Sequence, residues 1–322
     1  TCTPSTVTFK MDAGALNYNP HAYPSIDLSL PDGVNNWTRA GSQTSMHCWW
    51  SRNSDTHWHR IIMWANGSEI KTYDSNDGSG EFTQSYTTPS TGDSSYVVSA
   101  EIQDIGEGGD SYKASKSWTR YVWGKCSISI SVASKKVVAG NNNLVTIKLG
   151  KMNVDNGADC KVVLYFNNSA VNTWNNLSSG SEHTLTYNVK PLEEDKDYTV
   201  RAVWTHRDSG ETNEASTSFR TYVTPKVSEI NGLDRFSPQD NAEMSWTNNT
   251  TRIKEVGETC LQKITILNSS ITDTSYNDKT SVQLAPTGTY WTETIYNSAE
   301  RSVDELNGTL NVTLTNTSSG VS

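Results

Sequence analysis

Three stretches of this chain read alike: Arg60-Ile-Ile-Met-Trp-Ala-Asn-Gly-Ser68, Lys161-Val-Val-Leu-Tyr-Phe-Asn-Asn-Ser169 and Gln262-Lys-Ile-Thr-Ile-Leu-Asn-Ser-Ser270. Each starts polar, runs apolar and ends in Asn-x-Ser, and the asparagines Asn66, Asn167 and Asn268 are spaced 101 residues apart both times. Self-similarity at a fixed period is the mark of tandem units. Outward from this anchor, Glu81-x-Thr83-x-x-Tyr86 falls over Glu182-x-Thr184-x-x-Tyr187, and Tyr121-Val122 over Tyr222-Val223. Within the second unit Ser127 to Val132, Leu144 to Leu149 and Thr184 to Val189 alternate polar with apolar, and Lys161 to Phe166 is an apolar run. Short alternating runs parted by Gly, Asn, Asp and Ser predict strands packed as sandwiches. No segment sustains a 3.6-residue period, so no helix is expected.

The segment Asp197-Tyr-Thr-Val-Arg-Ala202 resembles strand F of the immunoglobulin and fibronectin type III superfamily, where a tyrosine closes a corner; Ser95-Tyr-Val-Val-Ser-Ala100 is the same element one unit earlier. The resemblance implies an all-β chain of three tandem immunoglobulin-like domains. Val98 and Val200 stand where antibody domains carry a cysteine, so the usual inter-sheet disulfide is not expected.

The repeat divides the chain into an extension at 1–23, domains at 24–124 and 125–224, and a third at 225–322. The extension carries an alternating strand with Val7, Phe9 and Met11 on one face. In the third unit Leu310, Val312 and Leu314 lie on the segment matching strand F, and no counterpart of strand G follows them. A sheet in that state exposes a groove and an edge. Either the chain belongs to a longer array, or the leading strand of one copy completes the last domain of another, an arrangement similar to donor-strand complementation in chaperone–usher pili and archaeal threads.

Five cysteines are present, Cys2, Cys48, Cys126, Cys160 and Cys260, and no Cys-x-x-Cys pair. In a sandwich of this superfamily, Cys126 at the start of strand A and Cys160 before strand C share a pole, which predicts a disulfide. Cys260 has no matching partner, so a bond to Cys2 of a neighbouring copy is expected, with Cys48 reduced in its core.

The acidic balance of −9 argues against nucleic acid. No apolar run reaches the ~18 residues of a membrane span, and any secretory leader is expected to have been removed. No nucleophile elbow, phosphate loop or catalytic dyad occurs, so neither catalysis nor a cofactor is expected. His47, His57 and His59 with Cys48 form a patch that zinc could use. His47 and Cys48, however, are neighbours on one strand and face opposite ways, so the expectation is a buried Cys48, surface imidazoles and no metal. Asp74 to Gly78 and Asp104 to Asp110 carry acidic residues but lack the spacing of a calcium loop. Trp64 and Tyr165 are expected in cores; Trp49 and Trp58 are candidates for stacking on sugar or a partner. Acceptor sequons stand at Asn36, Asn66, Asn167, Asn176, Asn248, Asn249, Asn268, Asn307, Asn311 and Asn316. Three roles fit: a self-assembling extracellular filament subunit whose partner is itself, an adhesin or receptor array binding glycan or protein, and a viral or phage fibre.

Overall fold

The computed structural model describes residues 22–30, 36–53, 55–106, 112–154, 159–232, 242–266, 269–273, 280–284 and 309–322. The first unit contains β1 (Ser25–Ser29), β2 (Trp37–Thr38), β3 (Gln43–Ser51), β4 (His59–Ala65), β5 (Ser68–Ser75), β6 (Ser79–Thr87), β7 (Ser94–Asp104) and β8 (Lys113–Val122). One sheet has the order β1-β3-β6, the other β2-β8-β7-β4-β5. The second unit repeats this with β9 (Ile128–Val132), β10 (Lys136–Val137), β11 (Asn143–Leu149), β12 (Asp159–Phe166), β13 (Ser169–Ser178), β14 (His183–Val189), β15 (Asp197–His206) and β16 (Thr212–Thr221). Its sheets run β14-β11-β9 and β10-β16-β15-β12-β13.

Alternation makes these cores. Along β7, Tyr96, Val98, Ala100 and Ile102 point inward against Ile61 and Met63 of β4; along β15, Tyr198, Val200, Ala202 and Trp204 do the same against Val162 and Leu164. The tyrosine corner forms in the second unit, where the Glu193 amide donates to the Tyr198 hydroxyl at 3.0 Å. In the first, Tyr96 instead meets the Tyr86 hydroxyl at 3.2 Å, and buried Arg120 donates to Tyr86 at 2.8 Å. The β4–β5 hairpin turns on Asn66 and Gly67 (φ +50° and +76°), and β12–β13 on Asn167 and Asn168 (φ +46° and +67°). Two consecutive positive φ values define the tight turn that matches strand twist, which is why Asn and Gly recur at this place.

Two expectations change here. Trp64 and Tyr165 fall on the outward phase of their strands and are half-buried; the Arg201 guanidinium lies 4.6 Å over the Tyr165 ring. A helix, α1 (Thr250–Glu255), follows β17 (Ala242–Ser245) in the third unit. It is too short to stand alone and is held by Ile253, which is buried against Val223, Cys260 and Leu314. The unit continues with β18 (Cys260–Ile266), β19 (Ser269–Asp273), β20 (Ser281–Leu284) and β21 (Leu310–Asn316). Its strands pair as β17-β20 and β19-β18-β21.

Neighbouring units are bonded rather than merely strung together. Trp123, after β8, stacks on Trp37 at 4.2 Å and leans on His206 at 4.9 Å, while Arg39 donates to the Ser209 carbonyl at 2.6 Å. At the next joint the buried Glu258 carboxylate accepts from Lys136 Nζ (3.2 Å), the Val223 amide (3.2 Å) and Asn316 Nδ2 (2.6 Å). Arg252 of α1 grips Asp195 with Nε at 2.7 Å and Nη2 at 3.0 Å.

The Arg252 hydrogen bond, with help from Arg220, holds the Asp195 carboxyl below its usual range against the opposing pull of burial. A lowered folded pKa stabilises the joint above the unfolded value and is lost as pH falls through the folded one. Thermal melts taken from pH 6 downward should therefore lose stability below about pH 4. Asp195→Asn should cost about 1 kcal/mol at neutral pH and flatten that acid limb; an unchanged limb would refute the assignment.

Candidate functional site

Strand F has two hydrogen-bonded neighbours in each of the first two units: β7 lies between β4 and β8, and β15 between β12 and β16. In the third, β21 pairs with β18 from Leu310↔Ile266 to Asn316↔Cys260. Among the described residues no strand pairs with its other edge, apart from the bridge Asn316↔Val321 at its end. The side chains tell the same story. Val98, Ala100, Val200 and Ala202 are fully buried, whereas Leu310 and Val312 at the matching places are only half-buried; Leu314 is buried. Leu310, Val312 and Leu314 thus lie on one strand, which is an edge among the described residues. Val7, Phe9 and Met11 lie outside the described residues.

The cysteines come out differently. Cys126 and Cys160 share the second core, as the topology requires, but no disulfide joins them in this structure. Burial first, and then proximity to Cys160, push the Cys126 thiol up to about 12, and a thiol rather than a thiolate is the poor partner in disulfide exchange. Cys48 is buried, its thiol raised to about 12 by burial and the Asp27 charge. Cys260 is buried in the third core; its proposed partner Cys2 lies outside the described residues. The native chain should resist an aromatic disulfide reagent at pH 8 at Cys48 and Cys126 and react fully in guanidinium, as read by released thiolate absorbance.

Asparagine accessibility splits the sequons. Asn66, Asn167, Asn176 and Asn311 are exposed and Asn36 half-buried; Asn268 and Asn307 lie outside the described residues. At three sites the side-chain amide nitrogen, the atom a glycan needs, is engaged within the fold. Asn248 Nδ2 donates to Gln262 at 3.1 Å, Asn249 Nδ2 to the Thr224 carbonyl at 2.9 Å, and the buried Asn316 Nδ2 to the Val223 carbonyl at 2.9 Å. Glycopeptide mass spectrometry of material from a glycosylating host should find Asn66 and Asn167 occupied and Asn316 bare; glycan on Asn316 would contradict the fold.

The histidine patch is rearranged. Cys48 faces the core and His47 the other way, onto Thr83 and Glu81 at 3.0 and 3.3 Å. His59 is not a surface imidazole: it is fully buried at the head of β4. His57 meets Asp55 and Asp104. The Asp55-x-His57 spacing was the missed signal, because Asp104 reaches it from the far end of β7. Burial works to raise Asp55, but hydrogen bonds from the His57 amide and ring and the Ala22 amide outweigh it and hold the carboxyl low. A shallow cleft of about 650 Å³ on the β1-β3-β6 sheet is lined by Asp27, Trp49, Trp50 and Glu81, with Trp49 40% and Trp58 52% exposed.

No protein-family model matches the chain, and no curated protein does. Solved structures match at low identity. A bacterial ice-binding adhesin is 15% identical over 82% of this chain and 87% of its own, with a TM-score of 0.36. The ICAM-5 ectodomain fragment is 12% identical over 90% and 75%, TM-score 0.34. A CARDB domain in complex with di-metal ions from Pyrococcus furiosus is 16% identical over 30% and 93%, TM-score 0.26. The sheet orders themselves, A′-G-F-C-C′ facing A-B-E twice in succession, decide the architecture. The fold is the immunoglobulin-like β-sandwich. Among the described residues no helix is long and apolar enough to cross a membrane.

Proposed function

We propose that this chain is the structural subunit of an extracellular assembly, joined head to tail by donor-strand complementation, with no catalytic role. The observation that carries the reading is that β21, among the described residues, is paired on one side only, beside half-buried Leu310 and Val312. In the other units a strand with alternating inward side chains fills that place, Arg120 and Val122 on β8, Phe219 and Thr221 on β16. The segment with Val7, Phe9 and Met11 has the same alternation. Given by a second copy, it supplies backbone hydrogen bonds to the edge and apolar cover to the groove. The exposed hairpin asparagines Asn66 and Asn167 suit an outer surface.

Phe9→Asp sets a charge in an apolar groove, at a cost of several kcal/mol. Negative-stain imaging should find long polymers of the wild type and monomers or short stubs of the variant. Normal polymers of Phe9→Asp, or crosslinks placing Phe9 in the groove of its own chain, would sink the reading. A second reading rests on the Trp49 cleft: aromatic and carboxylate neighbours there suit a sugar, and an array built for recognition would bind glycans without polymerising. Screening the monomeric variant on a glycan array, with Trp49→Ala as control, separates the two.

A further inference from the structure

The joint between the second and third units gathers an amine, a carboxylate and a carboxamide. Helix α1 ends in a Schellman turn: Gly257 takes a φ of +74° and its amide donates to the Lys254 carbonyl at 2.9 Å, while the Glu258 amide donates to Ile253 at 3.0 Å. The turn sends the Glu258 side chain inward, where it is 0% exposed. Its Oε1 lies 3.2 Å from Lys136 Nζ of β10, and its Oε2 lies 2.6 Å from Asn316 Nδ2 at the end of β21. One carboxylate therefore holds an amine of one unit and an amide of the next.

We infer that Lys136 and Asn316 condense to an isopeptide bond, with Glu258 carrying the protons and one ammonia released. The Lys136 ammonium first passes a proton to Glu258, which trades a buried ion pair for two neutral groups. The neutral amine attacks Asn316 Cγ; the Nζ–Cγ bond forms and the carbonyl electron pair moves onto Oδ1. Glu258 then gives its proton to Nδ2 and takes one back from Nζ. Oδ1 returns its pair, the Cγ–Nδ2 bond breaks, and ammonia departs. What remains is a secondary amide and a protonated Glu258, whose proton leaves with the ammonia as ammonium. Nothing is oxidised or reduced, and no co-reactant is consumed.

The surroundings fit those roles. The Ser318 amide donates to Asn316 Oδ1 at 3.0 Å, where it meets the negative charge that grows there during attack. The Val223 carbonyl accepts from Nδ2, the leaving nitrogen, at 2.9 Å. Asn316 is fully buried and fixed through its own backbone, its amide to the Val321 carbonyl at 2.8 Å and its carbonyl to the Gly320 amide at 2.7 Å. Lys136 is 32% exposed and sits on a flexible stem, so it swings about the shared carboxylate while its target stays still. Holding both reactants at one carboxylate replaces collision by position, which is worth several powers of ten in rate. None of the described cysteines is in a disulfide, and the isopeptide would tie β10 of one unit covalently to β21 of the next.

The test uses the full chain made in bacteria, free of glycan, weighed by intact mass spectrometry when fresh and after several days folded at room temperature. Wild type should become lighter than its sequence by one ammonia, and its digest should yield a branched peptide joining Lys136 to Asn316. Lys136→Arg, which keeps the charge, and Glu258→Gln, which keeps the shape, should both hold their full mass with circular dichroism unchanged. If Glu258→Gln does not fold, Lys136→Arg carries the test alone. On a denaturing gel the wild type, closed into a loop, should migrate apart from Lys136→Arg. Succinimide formation at Asn66-Gly67 also loses ammonia, but it persists in Lys136→Arg and leaves no branch. The inference is overturned if wild type keeps its full mass, if Lys136→Arg becomes as light as wild type, or if the branch maps to another pair.

Discussion

A strand in the middle of a sandwich sheet has two rows of backbone groups to satisfy and one face of side chains to cover. For strand F this constraint is severe, because its inward residues form the centre of the core. In the first two units it is met on both sides: C on one flank, G on the other, and Val98, Ala100, Val200 and Ala202 sealed completely. In the third unit β21 meets it on one flank among the described residues, and Leu310 and Val312 there are half-buried. An edge left open invites another strand. The assembly reading is therefore a statement about one strand that, among the described residues, has a neighbour on one side only.

The same logic explains the joints. Each F strand ends in a polar residue that is buried, and buried polar groups must be bonded. His206 and Asn316 find partners at the joint with the preceding unit; Asn316 shares Glu258 with Lys136 and the Val223 amide. Asp104 finds His57 and, through it, Asp55. One position thus does three jobs by changing residue: an aromatic contact at the first joint, a bond to the Glu258 carboxylate at the second, a charged cluster in the first unit.

Much of the fold was legible because it depends on period-two alternation and on turn chemistry, both local. The Asn-Gly and Asn-Asn turns at 66–67 and 167–168 mark the C–C′ hairpin, and the inward phases of β7 and β15 follow from Tyr96 and Tyr198. What was not legible depends on phase and on distance. Size alone puts Trp64 and Tyr165 inward, but the strand phase fixed by Ile61, Met63 and Leu164 turns them out. The shared pole of Cys126 and Cys160 was readable from topology, whereas a bond between them was not, since burial sets thiol reactivity. Asp55, His57 and Asp104 come from a loop and from the far end of β7, and only register brings them together.

The short strands β2 and β10 add a final property. Both run parallel to strand G, with Trp37↔Tyr121 and Lys136↔Arg220 as register pairs. Each junction is tied by backbone bonds on either side: Tyr121 to Asn36 and Trp123 to Thr38, each 2.8 Å, then Arg220 to Lys135 and Tyr222 to Val137, each 2.9 Å. One strand of each pair lies near a unit's entry and the other at its exit. Tension along the chain therefore slides the two past each other instead of unzipping them, and the bonds share the load at once. The first two units carry such a shear clamp in themselves. A strand received beside β21 would set the third unit's exit in the same line of force, so the link between copies would be loaded in the way the links within them are.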